Sequence, residues 1–119
     1  MQPVHSVLIV EDEPIIAMML EEYLDLLGHD VTGTADNVSE ALAIVDGGGF
    51  DLAILDVSLR DGVECWPVAD ALAARKIPFI LASGGSGTAQ GGVPGCHAIL
   101  EKPYALADVR AAIERLKKD

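Results

Sequence analysis

Basic residues are scarce in this sequence. Eight Lys and Arg stand against nineteen Asp and Glu, a formal net charge of -11. A chain with that balance is repelled by phosphate backbones and anionic membranes, so neither nucleic acid nor membrane is expected as a partner. Cysteine is nearly absent. Cys65 and Cys96 occur without any C-x-x-C string, which excludes a disulfide framework and fits a reducing, cytoplasmic setting. Cys96-His97 is the one adjacent pair of soft ligands, and two ligands are too few for zinc. Long apolar runs are missing as well. The opening MQPVHSVLIVEDEP meets three acids after a short apolar run, unlike a signal peptide or a membrane span. Neither G-x-G-x-x-G nor Gly-Lys-Ser/Thr is present, which argues against a nucleotide cradle.

What the sequence does have is material for a core. Half of its 119 residues are hydrophobic, which argues against disorder. The length is below about 150 residues per domain, so a single domain over residues 1–119 is expected.

Strands and helices alternate along it. Ser6-Val7-Leu8-Ile9-Val10, Asp51-Leu52-Ala53-Ile54-Leu55 and Pro78-Phe79-Ile80-Leu81-Ala82 read as strands buried on both faces. Val31 to Ala35 and His97 to Leu100 read as weaker, shorter strands. Ile15, Ile16, Met19, Leu20, Tyr23, Leu24 and Leu27 have helical spacing, with Pro14 in the first turn and Gly28 as the stop. Asn37 with Glu40 resembles a capping box opening a helix that runs through Val45 to the glycines at 47–49. A third helix is expected from about Cys65 to Arg75, with Pro67 tolerated in its first turn. Leu106, Val109, Ile113 and Leu116 define the last, and Lys117 and Lys118 suit its final turn by dipole complementarity. Between the fourth and fifth strands, residues 84–95 carry Gly84, Gly85, Gly87, Gly91, Gly92 and Gly95. Each Gly costs a helix about 1 kcal/mol relative to Ala, so a fourth helix there should be short, frayed or absent. Strict alternation implies a parallel sheet with helices on both faces.

Ligands of such sheets bind at the carboxyl ends of the strands. Strand one ends in Glu11-Asp12-Glu13, strand three in Asp56, strand four in Ser83-Gly84 and strand five in Glu101-Lys102-Pro103. Each of these residues alone suits a bland role: helix-start acids, a cap, a turn serine, a surface lysine. Their conjunction at one edge does not. Crowded acids raise at least one carboxyl pKa unless a cation intervenes, and Mg²⁺ takes such oxygen ligands. Lys102 supplies a point charge for an anion beside the metal, Ser83 a hydrogen-bond donor, and Gly84 room for a phosphoryl group. The set suits phosphoryl transfer to a carboxylate, with Asp56 as acceptor.

These motifs, VLIVEDEP, DLAILDVSL, ILASG and EKPY, resemble in order and spacing the receiver domain of two-component response regulators. The resemblance covers the whole chain and implies a flavodoxin-like, doubly wound sheet of five parallel strands in the order 2-1-3-4-5. It makes Asp56 the phosphoacceptor, Glu11 and Asp12 the metal-binding pair, and the backbone carbonyl of Ser58 a further metal ligand. Ser83 matches the hydroxyl that contacts the phosphoryl group, Lys102 the lysine that pairs with it, and Pro103 the proline commonly held by a cis bond. Ser58 and Gly85 would flank the attacking water. The family usually carries an aromatic switch residue three positions before the lysine; here that residue is Ile99, which puts that switch in doubt. Tyr104 and Trp66 read as packing residues at helix starts.

A second resemblance is to alphaproteobacterial stand-alone receivers whose fourth strand reads PFxFATGYG, with Ser83 and Gly85 where that group has Thr and Tyr. It implies HWE-type or related histidine kinases as partners in stress signalling. The expectation is therefore a cytoplasmic, stand-alone response regulator and not an enzyme. It would be phosphorylated with Mg²⁺ by a sensor histidine kinase or a histidine phosphotransfer protein. It would act as a monomer or weak homodimer through contacts at the glycine loop, strand 97–100 and the last helix. Two rivals remain. A phosphorylation-independent binding module would have no use for the full acidic set. An aspartyl-nucleophile phosphohydrolase usually needs a second Asp where Ser58 stands.

Overall fold

The computed structural model describes residues 4–57, 59, 63–83 and 96–115. The order is β1 (Ser6–Val10), α1 (Pro14–Leu26), β2 (Asp30–Ala35), α2 (Val38–Gly47), β3 (Leu52–Asp56), α3 (Trp66–Ala74), β4 (Phe79–Ser83), β5 (Cys96–Glu101) and α4 (Leu106–Glu114). The strands form one sheet in the order β2-β1-β3-β4-β5, and every neighbouring pair is parallel. This is the doubly wound topology that the resemblance implied, and its parallel strands are those the alternation implied.

Burial explains which strands were easiest to read. Every residue of β3 and β4 is buried, as a strand covered on both faces requires. The outer strands β2 and β5 alternate exposed and covered residues, so their apolar signal is half as dense. Side-chain alternation also sorts the core into two layers. Val7, Ile9, Leu52, Ile54, Ile80, Ala82, Ala98 and Leu100 pack with Leu20 and Leu24 of α1 and with Val109, Ala112 and Ile113 of α4. Leu8, Val10, Ala53, Leu55, Phe79 and Leu81 pack with Ala41 and Val45 of α2 and with Val68, Ala69 and Leu72 of α3.

Local chemistry fixes the helix ends. After α1, Gly28 adopts φ +89°, its N–H donates to Asp25 O at 3.0 Å, and His29 N–H donates to Leu24 O at 2.9 Å. That pair of bonds is a Schellman stop, and its left-handed residue favours glycine. At α2, Glu40 N–H donates to Asn37 Oδ1 at 2.8 Å, but the Glu40 carboxylate accepts from Asp36 N–H at 3.1 Å, one residue earlier than a standard capping box. At α4, Asp108 accepts from Ala105 N–H at 2.8 Å, while Ala105 itself has no side-chain acceptor to return.

Boundaries differ from expectation by one residue in places. β3 runs one residue further, so Asp56 is the last residue of the strand, and Ser83 likewise closes β4. The expected fourth helix in residues 84–95, Ser58, Leu116 and the last-turn lysines fall outside the described residues. No helix among the described residues is long and apolar enough to cross a membrane.

Candidate functional site

The carboxyl ends of β1, β3 and β5 bring Glu11, Asp12, Asp56 and Lys102 together, and Ser83 closes β4 at the same edge. Glu11 follows β1; its N–H donates to Ala35 O at 2.9 Å, continuing the pairing with β2 and holding the residue under the edge. Its Oε2 accepts from Glu13 N–H at 3.1 Å. Asp56 is fixed by pairing with Ala82 of β4, and Val57 N–H carries that pairing on to Ala82 O at 3.0 Å. Lys102 N–H donates to Ser83 O at 2.8 Å, tying the end of β5 to the end of β4. The Lys102-Pro103 bond is cis, as the resemblance implied. Glu11, Asp56 and Ser83 are 5%, 6% and 5% exposed, buried well beyond what polar residues normally accept.

The side chains meet as the sequence suggested. Lys102 Nζ lies 3.0 Å from Asp56 Oδ2 and 3.4 Å from Glu11 Oε1, one ammonium shared by two buried carboxylates. Glu11, Asp12 and Asp56 each offer a carboxylate oxygen, and these oxygens all lie within 4.8 Å of one another. Strand alternation directs Glu11, Asp56 and Lys102 toward the α1/α4 layer, continuing Ile9, Ile54 and Leu100. Ser83 continues Phe79 and Leu81 on the α2/α3 layer. The site therefore straddles the edge of the sheet. Ser58, expected to add a backbone carbonyl, lies outside the described residues.

The electrostatics show a shortage of positive charge. Burial, and then the neighbouring Asp56 carboxylate, push the Glu11 carboxyl up to about 7. The Glu13 N–H and the Lys102 ammonium oppose that rise without cancelling it. For Lys102, burial favours the neutral amine, but the hydrogen bond and charge of Asp56, followed by Glu11, more than reverse it. The ammonium is thus held above its ordinary value. Among the described residues, three carboxylates against one ammonium leave a deficit of about two charges, which a divalent cation matches. Opposite oxygens around Mg²⁺ lie about 4.2 Å apart, so a spread of 4.8 Å closes on the ion with small side-chain movements. The donor set, all hard oxygen, fits magnesium and not a soft metal.

Two features were not anticipated. Tyr104 is buried in the α1/α4 layer, as a packing residue should be, yet its hydroxyl has no hydrogen-bond partner. Burial and then the charges of Glu11 and Asp56 push its phenol up. At the opposite end of the sheet, His5, His29 and Asp51 form a cluster. His5 N–H donates to His29 Nδ1 at 3.1 Å, and His5 Nδ1 meets Asp51 Oδ1 at 3.3 Å. Each of the three stands immediately before a strand, and aligning the strand starts would have brought them together. Ile99 is 37% exposed on β5, a solvent-facing aliphatic where an aromatic was usual for the resemblance. Trp66 packs partly against the α2/α3 core, and its Nε1–H donates to Glu64 Oε1 at 2.9 Å.

The chain is similar to known proteins. A family model described as the response regulator receiver domain matches residues 7–114. Transcriptional regulatory protein TcrA of Mycobacterium tuberculosis is 32% identical over 122 residues, covering 94% of this chain and 46% of that protein. Phyllosphere-induced regulator PhyR of Methylorubrum extorquens is 34% identical over 113 residues, covering 92% of this chain and 42% of its own. The chain thus spans less than half the length of these curated relatives. The solution structure of SdrG from Sphingomonas melonis Fr1 superposes with a TM-score of 0.84 at 48% identity, over 98% of each chain. The fold, the four strand-end motifs and these likenesses agree: the chain belongs to the response regulator receiver domains, signalling modules of two-component systems.

Proposed function

We propose that this domain accepts a phosphoryl group on Asp56 from a phosphohistidine of a histidine kinase or phosphotransfer protein. The observation that carries the reading is the shared ammonium: Lys102 Nζ holds Asp56 at 3.0 Å and Glu11 at 3.4 Å at the carboxyl edge of the sheet. An Asp56 carboxylate oxygen forms the new bond to phosphorus, the phosphorus–nitrogen bond of the donor breaks, and the imidazole nitrogen leaves with its electron pair. The product is an acyl phosphate. Strand pairing positions the nucleophile, so little reorganisation precedes the reaction. Lys102 and the Ser83 hydroxyl serve the transferred oxygens from opposite sides of the edge. Glu11, Asp12 and Asp56, with the Ser58 carbonyl, would hold Mg²⁺. When bound, it would offset charge on the phosphoryl oxygens.

In this reading the domain signals through protein contacts. Such contacts would involve β5, with its exposed His97 and Ile99, together with α4. A solved form of SdrG is described as the BeF3-activated conformation, at 49% identity and a TM-score of 0.79. That likeness supports the same phosphoryl chemistry for this chain.

Intact-mass spectrometry after incubation with acetyl phosphate tests the proposal. One phosphoryl adduct is expected with Mg²⁺, none with EDTA and none for Asp56→Asn. If acetyl phosphate gives no adduct, a phosphorylated histidine kinase is the second donor. A blank with both would overturn the reading in favour of a phosphorylation-independent binding module.

A further inference from the structure

Among the described residues, two buried side-chain polar atoms lack any hydrogen-bond partner: His5 Nε2 at the amino end of the sheet and the Tyr104 hydroxyl in the α1/α4 layer. An orphaned buried hydroxyl in a native structure calls for a reason, because a phenylalanine would fill the same space without the penalty. Tyr104 lies two residues beyond Lys102 and is 5% exposed. It belongs to the buried layer that contains Ile9 and Ile54, each two residues before a site acid, Glu11 and Asp56. Among the charges acting on the phenol, that of Glu11 is the largest, and Asp56 follows. The phenol stays protonated and remains a donor. The groups nearest in charge can only accept when ionised.

Glu11 is the acid with a vacancy to fill once a cation arrives. Its Oε2 already accepts from Glu13 N–H. Its Oε1 takes the longer arm of the shared ammonium, 3.4 Å from Lys102 Nζ, and the carboxyl's other side-chain neighbour is the Asp56 carboxyl, itself an acceptor when ionised. A divalent ion among the three carboxylates repels that ammonium, and Glu11 then loses its cationic neighbour just when it must keep one orientation. Carboxylate ligands of metals are themselves normally held by hydrogen bonds from outside the coordination sphere.

We propose that the Tyr104 hydroxyl is a positioning group for the divalent-ion site, donating to the Glu11 carboxylate in the ion-bound state and holding that carboxylate as a ligand. The inference rests on the magnesium reading of the site given above. It gives the buried hydroxyl a partner, and it gives the Lys102-Pro103-Tyr104 segment a role on the metal side as well as the phosphoryl side of the site.

The test is a Mg²⁺ titration of the full chain, followed by amide resonances at Asp12 and Glu13, for wild type, Tyr104→Phe and Tyr23→Phe. Thermal unfolding without Mg²⁺ is measured on the same samples. Tyr104→Phe should bind Mg²⁺ roughly tenfold more weakly. Its melting temperature without the ion should be unchanged or raised, because only an unpartnered hydroxyl is removed. Tyr23→Phe should bind like wild type. Equal Mg²⁺ affinity for wild type and Tyr104→Phe overturns the inference and leaves Tyr104 a packing residue. Absence of Mg²⁺ binding by wild type overturns it together with the magnesium reading. Should Tyr104→Phe not fold, the wild-type hydroxyl proton decides. A slowly exchanging resonance that appears only with Mg²⁺ supports the bond, and its absence in both states refutes it.

Discussion

The two ends of the same sheet handle their polar groups in opposite ways. At the carboxyl end, Glu11, Asp12 and Asp56 crowd one another, and Lys102 is divided between two of them. At the amino end, the polar groups answer each other: His5 N–H meets His29 Nδ1, Ser6 N–H donates to Asp51 Oδ1 at 3.0 Å, and the same oxygen faces His5 Nδ1. The imidazole rings stack at 5.3 Å, tilted by 40°. Among the described residues, one end is short of positive charge. The other is largely closed on itself and serves to start three strands in register. The contrast shows that a buried polar cluster is a functional candidate when its charges fail to balance, more than when polar residues merely gather.

The pH dependence of stability should separate the ends. Glu11 is raised from 4.5 to about 7, so between those values the folded state holds a proton that the unfolded state has lost. Stability without Mg²⁺ should therefore fall as pH rises through that window. Glu11→Gln should remove this loss and stabilise the ion-free protein at pH 8 by on the order of 3 kcal/mol, while weakening Mg²⁺ binding. Urea unfolding at pH 5 and pH 8 checks both signs. An unchanged pH profile would mean that the carboxyl end is not charge-frustrated.

The ion itself should act in the same direction, with a slightly smaller effect. At a Mg²⁺ concentration about 100 times the dissociation constant, wild type should gain about 2.7 kcal/mol at pH 8. The gain should shrink as pH falls below 7, because a proton on Glu11 competes with the metal. Differential scanning calorimetry with Mg²⁺ and with EDTA measures it.

The smallest effect belongs to the amino end and has the opposite slope. Burial and the nearby His5 hold the His29 imidazole below its ordinary 6.5, and its Nδ1 is committed as an acceptor. The unfolded state thus takes up a proton first as pH drops past 6.5, and stability is lost on that side. His29→Asn should cost about 1 kcal/mol at pH 8, flatten the decline below pH 6.5 and leave Mg²⁺ affinity unchanged. A changed Mg²⁺ affinity would show that the two ends are coupled through the sheet.

Most of the architecture was legible because β1, β3 and β4 are covered on both faces and read as unbroken apolar runs. The site residues were legible because parallel topology sends every strand's carboxyl end to one edge. Distances within the site were not. That Lys102 bridges Asp56 and Glu11 depends on sheet register, such as Asp56 opposite Ala82 and Ser83 opposite Glu101, which no local pattern encodes. The His5–His29–Asp51 cluster was missed for the same reason: Ser6 lies opposite Asp30, and Val7 opposite Leu52. Tyr104 was read as packing because an aromatic after a proline says nothing about where its hydroxyl ends.

Strand alternation places Asp56 and Lys102 over one helical layer and Ser83 over the other. A group seated on Asp56 and gripped from both sides would lean on α1 and α4 through the lysine and on α2 and α3 through the serine. The sheet edge then works as a fulcrum.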